Sequence, residues 1–442
     1  MTELPVVVVG AGPVGLAAAA ELRERGVEVL VFERGARAGA AVAEWNHVRL
    51  FSRWAELVAP AARRVLDGTG WVAPVDEEYP TGQQWARDYL APLADALGCV
   101  RYDTEVVGLA RRGRDRVVDA GRDSEPLSVH LRQSDGTEER ILARAVIDAS
   151  GTWGGPNPLG GEGLPALGER GSDAVTYRVP DIDSAEQADR FGGAHTVIAG
   201  GGHSALGAIV ALAQLSEQRP GTRLTWILRR GSAESTFGGG DADELPARGA
   251  LGLRAKKAVD AGLLDVVTGF RTAAIEPDAA GRVTLVADDG RRIDDVDNVV
   301  ALTGFRPELD WLSEVRLELD PVLQAPVRLA PLIDPNVHSC GTVYPHGVAE
   351  LTHPEPGVYL VGMKSYGRAP TFLAMTGYEQ VRSIAASIVG DHESAARVEL
   401  TLPETGVCGG AGVFDEPSGE SSGGCCSPAP EVLTLSAPSL VR

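Results

Sequence analysis

Two strand–glycine turn–helix signals, about 190 residues apart, constrain this chain more than any other feature. The first leads from an apolar run beginning at Val6 into Gly10-Ala-Gly12-Pro13-Val-Gly15. The second leads from Thr196 into Gly200-Gly-Gly202-His203-Ser204-Ala205. A strand that breaks at glycine and restarts as a helix presents bare backbone N–H groups and a helix N-terminus at one point, which is a cradle for pyrophosphate. One such turn is a weak signal, because glycine loops are common. Two of them, each opening a βαβ-like unit, predict an α/β chain with two Rossmann-like dinucleotide-binding domains.

The residues that follow each turn differ. After Gly15 the run Leu16 to Arg25 reads as a helix ending at Gly26, and the strand Val27 to Phe32 ends in Glu33, with Arg34 next. A carboxylate about 20 residues past the turn can accept both hydroxyls of an adenosine ribose; the alternative is a solvated acid at a strand end. After the second turn, the helix Leu206–Leu215 and the strand Leu224–Leu228 end in Arg229-Arg230. Paired guanidiniums bind a 2′-phosphate that a carboxylate would repel, so this unit favours NADPH over NADH. The alternative is a pair of surface arginines. A flavin dinucleotide at the first turn and NADPH at the second would make a flavin enzyme reduced by a nicotinamide.

At 442 residues the chain is too long for one core, with a prior of roughly three units. We expect residues 1–158 and 297–398 to form an FAD domain, residues 159–296 an NAD(P) domain inserted within it, and residues 399–442 a flexible tail. Strand ends rich in small residues, Arg144 to Trp153 and Asp297 to Pro307, would close the two units, and Pro356 to Gly362-Met363 would return to the first sheet. The strand Arg101–Leu109 carries Val106, another candidate cofactor contact. The tail is rich in Gly, Ser and Pro, too polar to order itself. A net charge of −20 argues against nucleic acid or an anionic membrane as partner. No stretch approaches the ~20 apolar residues of a membrane span. The N-terminus does not look like a signal peptide, so the expected setting is a reducing cytoplasm, with five cysteines held as thiols. A homodimer is compatible with all of this.

Together, Gly10-x-Gly12-x-x-Gly15, Glu33, Asp148-Ala-Ser-Gly151, Gly200-x-Gly202-x-Ser204-Ala205 and Leu302-Thr-Gly304-Phe-Arg-Pro307 resemble the two-dinucleotide-binding-domain flavoproteins, in particular their flavin-containing monooxygenase-like branch. The resemblance covers roughly residues 4–390 and implies FAD, NADPH and O₂, with oxygen transferred to a soft nucleophile. Two departures stand out. The branch's Phe-x-Gly-x-x-x-His fingerprint is absent ahead of the second turn, where Gly171 to Asp181 stands, and the Gly-Asp expected after the last strand is Gly362-Met363. A narrower likeness links His338 to Gly341, Met363 to Thr371 and the tail cysteines to flavin oxidoreductases associated with arsenic resistance. It implies oxidation of a trivalent arsenical.

Four side chains are candidates for the chemistry. Trp45 could pack on the flavin or simply fill the core; His47 and the cofactor-facing Arg49 share its segment. Lys364 could stabilise the charge of reduced flavin or be an ordinary solvent-facing ammonium. Cys340 would serve a thiol or disulfide reductase if it lay beside the flavin. Cys408, Cys425 and Cys426 could capture a soft metalloid, on a tether whose r.m.s. reach is about 30 Å for roughly 30 residues; otherwise they are incidental. A non-enzymatic redox or metalloid sensor is the third class.

Overall fold

The computed structural model describes residues 4–240, 243, 245–337, 345–370 and 372–400. Strand β1 (Val6–Val9) is buried along its whole length, as a parallel strand covered on both faces must be. Beside it runs β2 (Val29–Phe32), with Val8 opposite Val31, and beyond that β3 (Val100–Arg101). An antiparallel sheet follows, β4 (Thr104–Arg111), β5 (Leu127–Gln133) and β6 (Glu138–Ala143), its last two strands joined through a turn at Asp135-Gly136. Strand β7 (Ala145–Asp148) then enters on the other side of β1.

The second unit repeats this plan. Strands β8 (Val175–Thr176), β9 (His195–Ala199), β10 (Arg223–Ile227) and β11 (Asp265–Val267) precede a second antiparallel sheet, β12 (Thr272–Pro277), β13 (Val283–Ala287) and β14 (Arg292–Val296), and then β15 (Asn298–Ala301). The final strand, β16 (Val358–Leu360), pairs with β7. The parallel orders are β16-β7-β1-β2-β3 and β8-β15-β9-β10-β11. Strand for strand they are the same arrangement. The C-terminal segment thus completes the first sheet, in keeping with the α/β fold of two Rossmann-like domains.

One boundary is corrected. β15, expected in the last segment, pairs with β9 on one side and β8 on the other. A cut at 296/297 would strip the second sheet of an interior strand. The chain crosses back after it, where Arg306 N–H donates to Gly155 O (2.7 Å) and Asn157 N–H to Gly304 O (2.9 Å). Of the tail, only residues 399 and 400 are described; the expectations for Cys340, Cys408, Cys425 and Cys426 fall outside the described residues. No helix among the described residues is long and apolar enough to cross a membrane.

A buried ionic cluster ties the first antiparallel sheet to the returning segment. Glu355, 1% exposed, accepts from Arg111 Nε (2.6 Å) and Arg122 Nη2 (2.7 Å), and both guanidiniums are buried with it. Burial alone would raise this carboxyl, but the hydrogen bonds from Arg122 and Arg111 outweigh it and hold it below its ordinary value. Removing one partner of a buried pair typically costs about 3–5 kcal/mol, and Glu355→Ala is expected to lower stability by that amount in denaturant melts. The carboxylate's contribution should be full above the ordinary value of 4.5 and disappear as pH falls through the depressed one. A Glu355→Ala deficit that is absent at neutral pH, or that persists undiminished in acid, would contradict the assignment.

Candidate active site

At the first turn, backbone meets backbone. Gly10 has φ +98°, and a Cβ there would lie 2.9 Å from Ala149 O; a Cβ on Gly15 would lie 2.0 Å from Gly10 O. Gly12 differs, because a Cβ on it would meet nothing within 4 Å. It opens the helix Pro13–Glu24, whose Pro13 occupies the first turn, where a missing N–H does no harm. Glu33 closes the far side of the turn. One carboxylate oxygen accepts from Ala11 N–H and the other from Gly35 N–H, both at 2.8 Å. Each oxygen keeps a lone pair for a ribose hydroxyl. Arg34 is exposed and lies against Gly154. Gly151, at φ +68°, also faces open space.

The second turn is built the same way. A Cβ on Gly200 (φ +128°) would lie 2.2 Å from Leu302 O, while one on Gly202 would meet nothing within 4 Å. His203 starts the helix His203–Gln218, with Ser204 exposed and Ala205 buried. Arg229 and Arg230 follow β10 after Leu228, the first exposed and the second half-buried. In both turns the first glycine is forced by close approach, and Gly12 and Gly202 face open space, which fits a pyrophosphate in each.

A family model described as pyridine nucleotide-disulphide oxidoreductase matches residues 7–328. The chain belongs to this family. It is an oxidoreductase with FAD and NADPH as cofactors. No curated protein matches it in sequence. Among solved structures it resembles the bacillithiol disulfide reductase of Bacillus cereus, at 18% identity and TM-score 0.64, with 88% of this chain and 100% of that one covered. A double mutant of the flavin monooxygenase of Stenotrophomonas maltophilia gives 23% and 0.57, covering 88% and 100%. The FAD-bound cadaverine monooxygenase of Erwinia amylovora gives 14% and 0.59, covering 91% and 99%. At these identities the likeness is one of fold.

The expected residues fall in several places on this oxidoreductase scaffold. Lys364 is the clearest correction. Its ammonium is 1% exposed, 2.7 Å from Asp148 Oδ2 and 2.9 Å from Ser150 Oγ, and it lies over the Trp311 ring. It is paired with a buried carboxylate at the end of β7 and is not solvent-facing. Val106 is likewise a core side chain. Trp45 is half-buried, packed on Gly82, with its ring 6.4 Å from that of Trp85. His47 Nε2 is buried without a partner among the described residues. Arg49 donates to the Tyr79 carbonyl and lines an open cleft of about 390 Å³ with Trp54, Glu78 and Gln84.

Other contacts carry no signal in the sequence. Gly362 N–H donates to Gln380 Oε1 (2.8 Å), and Gln380 Nε2 reaches Ser365 Oγ (2.9 Å) and His346 Nε2 (2.8 Å), which fixes the backbone that presents the half-buried Met363. Glu44 accepts from Trp153 Nε1 (2.8 Å) and Arg178 Nη2 (3.1 Å), and the guanidinium stands 4.0 Å over the Trp153 ring. Arg178 comes from the second unit and Glu44 from the first, so this cluster joins the two. Gly304 (φ +93°) sits close by in the crossover, against Asn157. His203 and Phe51 make a second such contact, with ring centroids 5.2 Å apart.

Burial, and then the nearby Arg248 guanidinium, push the His203 imidazole down to about 4, so it is neutral at physiological pH. Because the folded value is below the ordinary 6.5, the unfolded chain takes up its proton first, and stability should fall as pH drops from 6.5 toward 4. Ring-proton NMR of His203 is expected to show a midpoint near 4. A midpoint at the ordinary histidine value would show that the Phe51 contact leaves the ring in water.

Proposed function

We propose that this oxidoreductase is a flavin monooxygenase that oxygenates a soft nucleophile, with a trivalent arsenical as the substrate class to test. The observation that favours oxygen over a disulfide as acceptor is the thiol chemistry. The chain contains no Cys-x-x-Cys pair. The one cysteine among the described residues, Cys99, is a half-buried thiol that burial pushes up, away from the thiolate a redox cysteine needs. FAD supplies the redox chemistry when bound, and the chain supplies binding, orientation and exclusion of water. Gly10, Gly12, Gly15 and Glu33 would hold its pyrophosphate and adenosine ribose, with Gly151 and the Gly362-Met363 backbone bordering it. Gly200, Gly202 and Ser204 would hold the NADPH pyrophosphate, and Arg229 with Arg230 its 2′-phosphate. The neutral His203 ring, held by Phe51, would border the nicotinamide end. Trp45 and His47 remain the candidates on the substrate side.

A second reading keeps Cys340 and the tail cysteines as the dithiol of a thiol, disulfide or metalloid reductase; the similarity to a bacillithiol disulfide reductase is its support. Oxygen uptake separates the two. The monooxygenase reading expects NADPH-dependent O₂ consumption, stimulated by trivalent arsenicals or sulfides and matched by oxygenated product. NADPH-driven release of thiols from disulfides without O₂ uptake would overturn it. The Arg229→Ala/Arg230→Ala double mutant is expected to lose a preference for NADPH over NADH of about tenfold or more, since each charge-assisted pair is worth about 1.5–3 kcal/mol. An unchanged preference would remove both arginines from the phosphate site.

A further inference from the structure

The second glycine turn has a neighbour that neither its motif nor its arginines account for. Beyond Arg230 the chain forms a short 3₁₀ turn, Glu234–Phe237, and Phe237 anchors it. Its ring packs edge-on against Trp226 at 5.7 Å, and its carbonyl sits so close to Gly252 that a Cβ there would be 1.9 Å away. Trp226 is fully buried, and its Nε1–H donates to Gly200 O (2.8 Å). One indole therefore holds both the turn and the segment that folds over it. The result is that Thr236 faces the turn: a Cβ on Gly201 would lie 3.6 Å from its methyl and 3.7 Å from its Oγ1.

Thr236 is 8% exposed, and its hydroxyl has no hydrogen-bond partner among the described residues. A buried hydroxyl without a partner is destabilising, whereas valine would fill the same space without that penalty. The hydroxyl stands beside Gly201, next in the chain to Gly202, which caps the 16-residue helix His203–Gln218 and whose own side-chain direction is open. That is where an anionic oxygen gathers N–H donors.

We propose that Thr236 is a phosphate-binding residue whose hydroxyl donates to an oxygen of the NADPH pyrophosphate seated on the second glycine turn. This rests on the reading of that turn as the NADPH site. The division of labour is specific: Arg229 and Arg230 take the 2′-phosphate, and Thr236 with the Gly201–Gly202 backbone takes the pyrophosphate. Binding thus supplies the partner that Thr236 lacks among the described residues.

The test uses the FAD-loaded protein and two probes by calorimetric titration. NADP⁺ carries both phosphate groups, whereas adenosine 2′-monophosphate carries only the one assigned to the arginines. Thr236→Val is expected to weaken NADP⁺ by about tenfold or more, the scale of one charge-assisted hydrogen bond, and to leave adenosine 2′-monophosphate unchanged. The free Thr236→Val protein should melt no lower than wild type, and Thr236→Ser should keep NADP⁺ affinity. Unchanged NADP⁺ affinity in Thr236→Val would overturn the proposal while leaving the turn's assignment intact. A lower melting point with both probes weakened would make Thr236 structural and overturn it too. If wild type bound no NADP⁺, the assignment of the turn itself would fall, and the proposal with it.

Discussion

The structure depends on a contact between main chains. At each turn a glycine lies so close to the end of a neighbouring strand that no side chain fits: Gly10 against Ala149, and Gly200 against Leu302. The approach brings the helix N-terminus over the carboxyl edge of the parallel sheet, where the strand order reverses and a ligand can sit. Everything else serves to hold those edges still. β7 and β15 occupy equivalent places beside the two turns, so losing either would remove the wall that the glycines press on. A Cβ at Gly15, 2.0 Å from Gly10 O, would force the first turn apart.

The repeated plan shows why so much of this was legible in the sequence. Val6–Val9 reads as a buried strand because all four residues are β-branched and apolar, and it is one. Gly10 and Gly15 read as part of a turn because no Cβ fits at either, while Gly12 leaves the space between them open. The helix after the second turn runs to Gln218 rather than Leu215, because the exposed Glu217 and Gln218 are good helix formers that continue it after its apolar pattern fades. The place of β15 was legible only in part: its likeness to the first closing strand pointed to the second unit, while the boundary at 296/297 gave it to the first. Its composition suits either sheet, and only pairing with β8 and β9 decides.

Long-range polar contacts were the least legible. Nothing near Lys364 in sequence announces Asp148, 216 positions away and fully buried. The one hint was an aspartate closing the apolar run Ala145–Asp148, since a buried carboxylate needs a partner. The same holds for Glu355 with Arg111 and Arg122, and for Glu44 with Arg178 and Trp153. Such contacts join segments that only the completed fold brings together. They make Lys364, expected in one reading to face solvent, part of the sheet's ionic frame.

The two turns are alike in backbone and unlike in chemistry: a carboxylate, Glu33, bonded to the first, and two guanidiniums, Arg229 and Arg230, after the second. The contacts Glu44–Arg178 and Phe51–His203 bridge the units that carry them. The central claim is that one chain carries electrons from NADPH at the second turn to FAD at the first. Anaerobic titration of the FAD-loaded protein with NADPH, followed by the flavin absorbance band, tests it most directly. Stoichiometric bleaching of the band is the expected result. A band that persists in excess NADPH, with FAD fully bound, would contradict it.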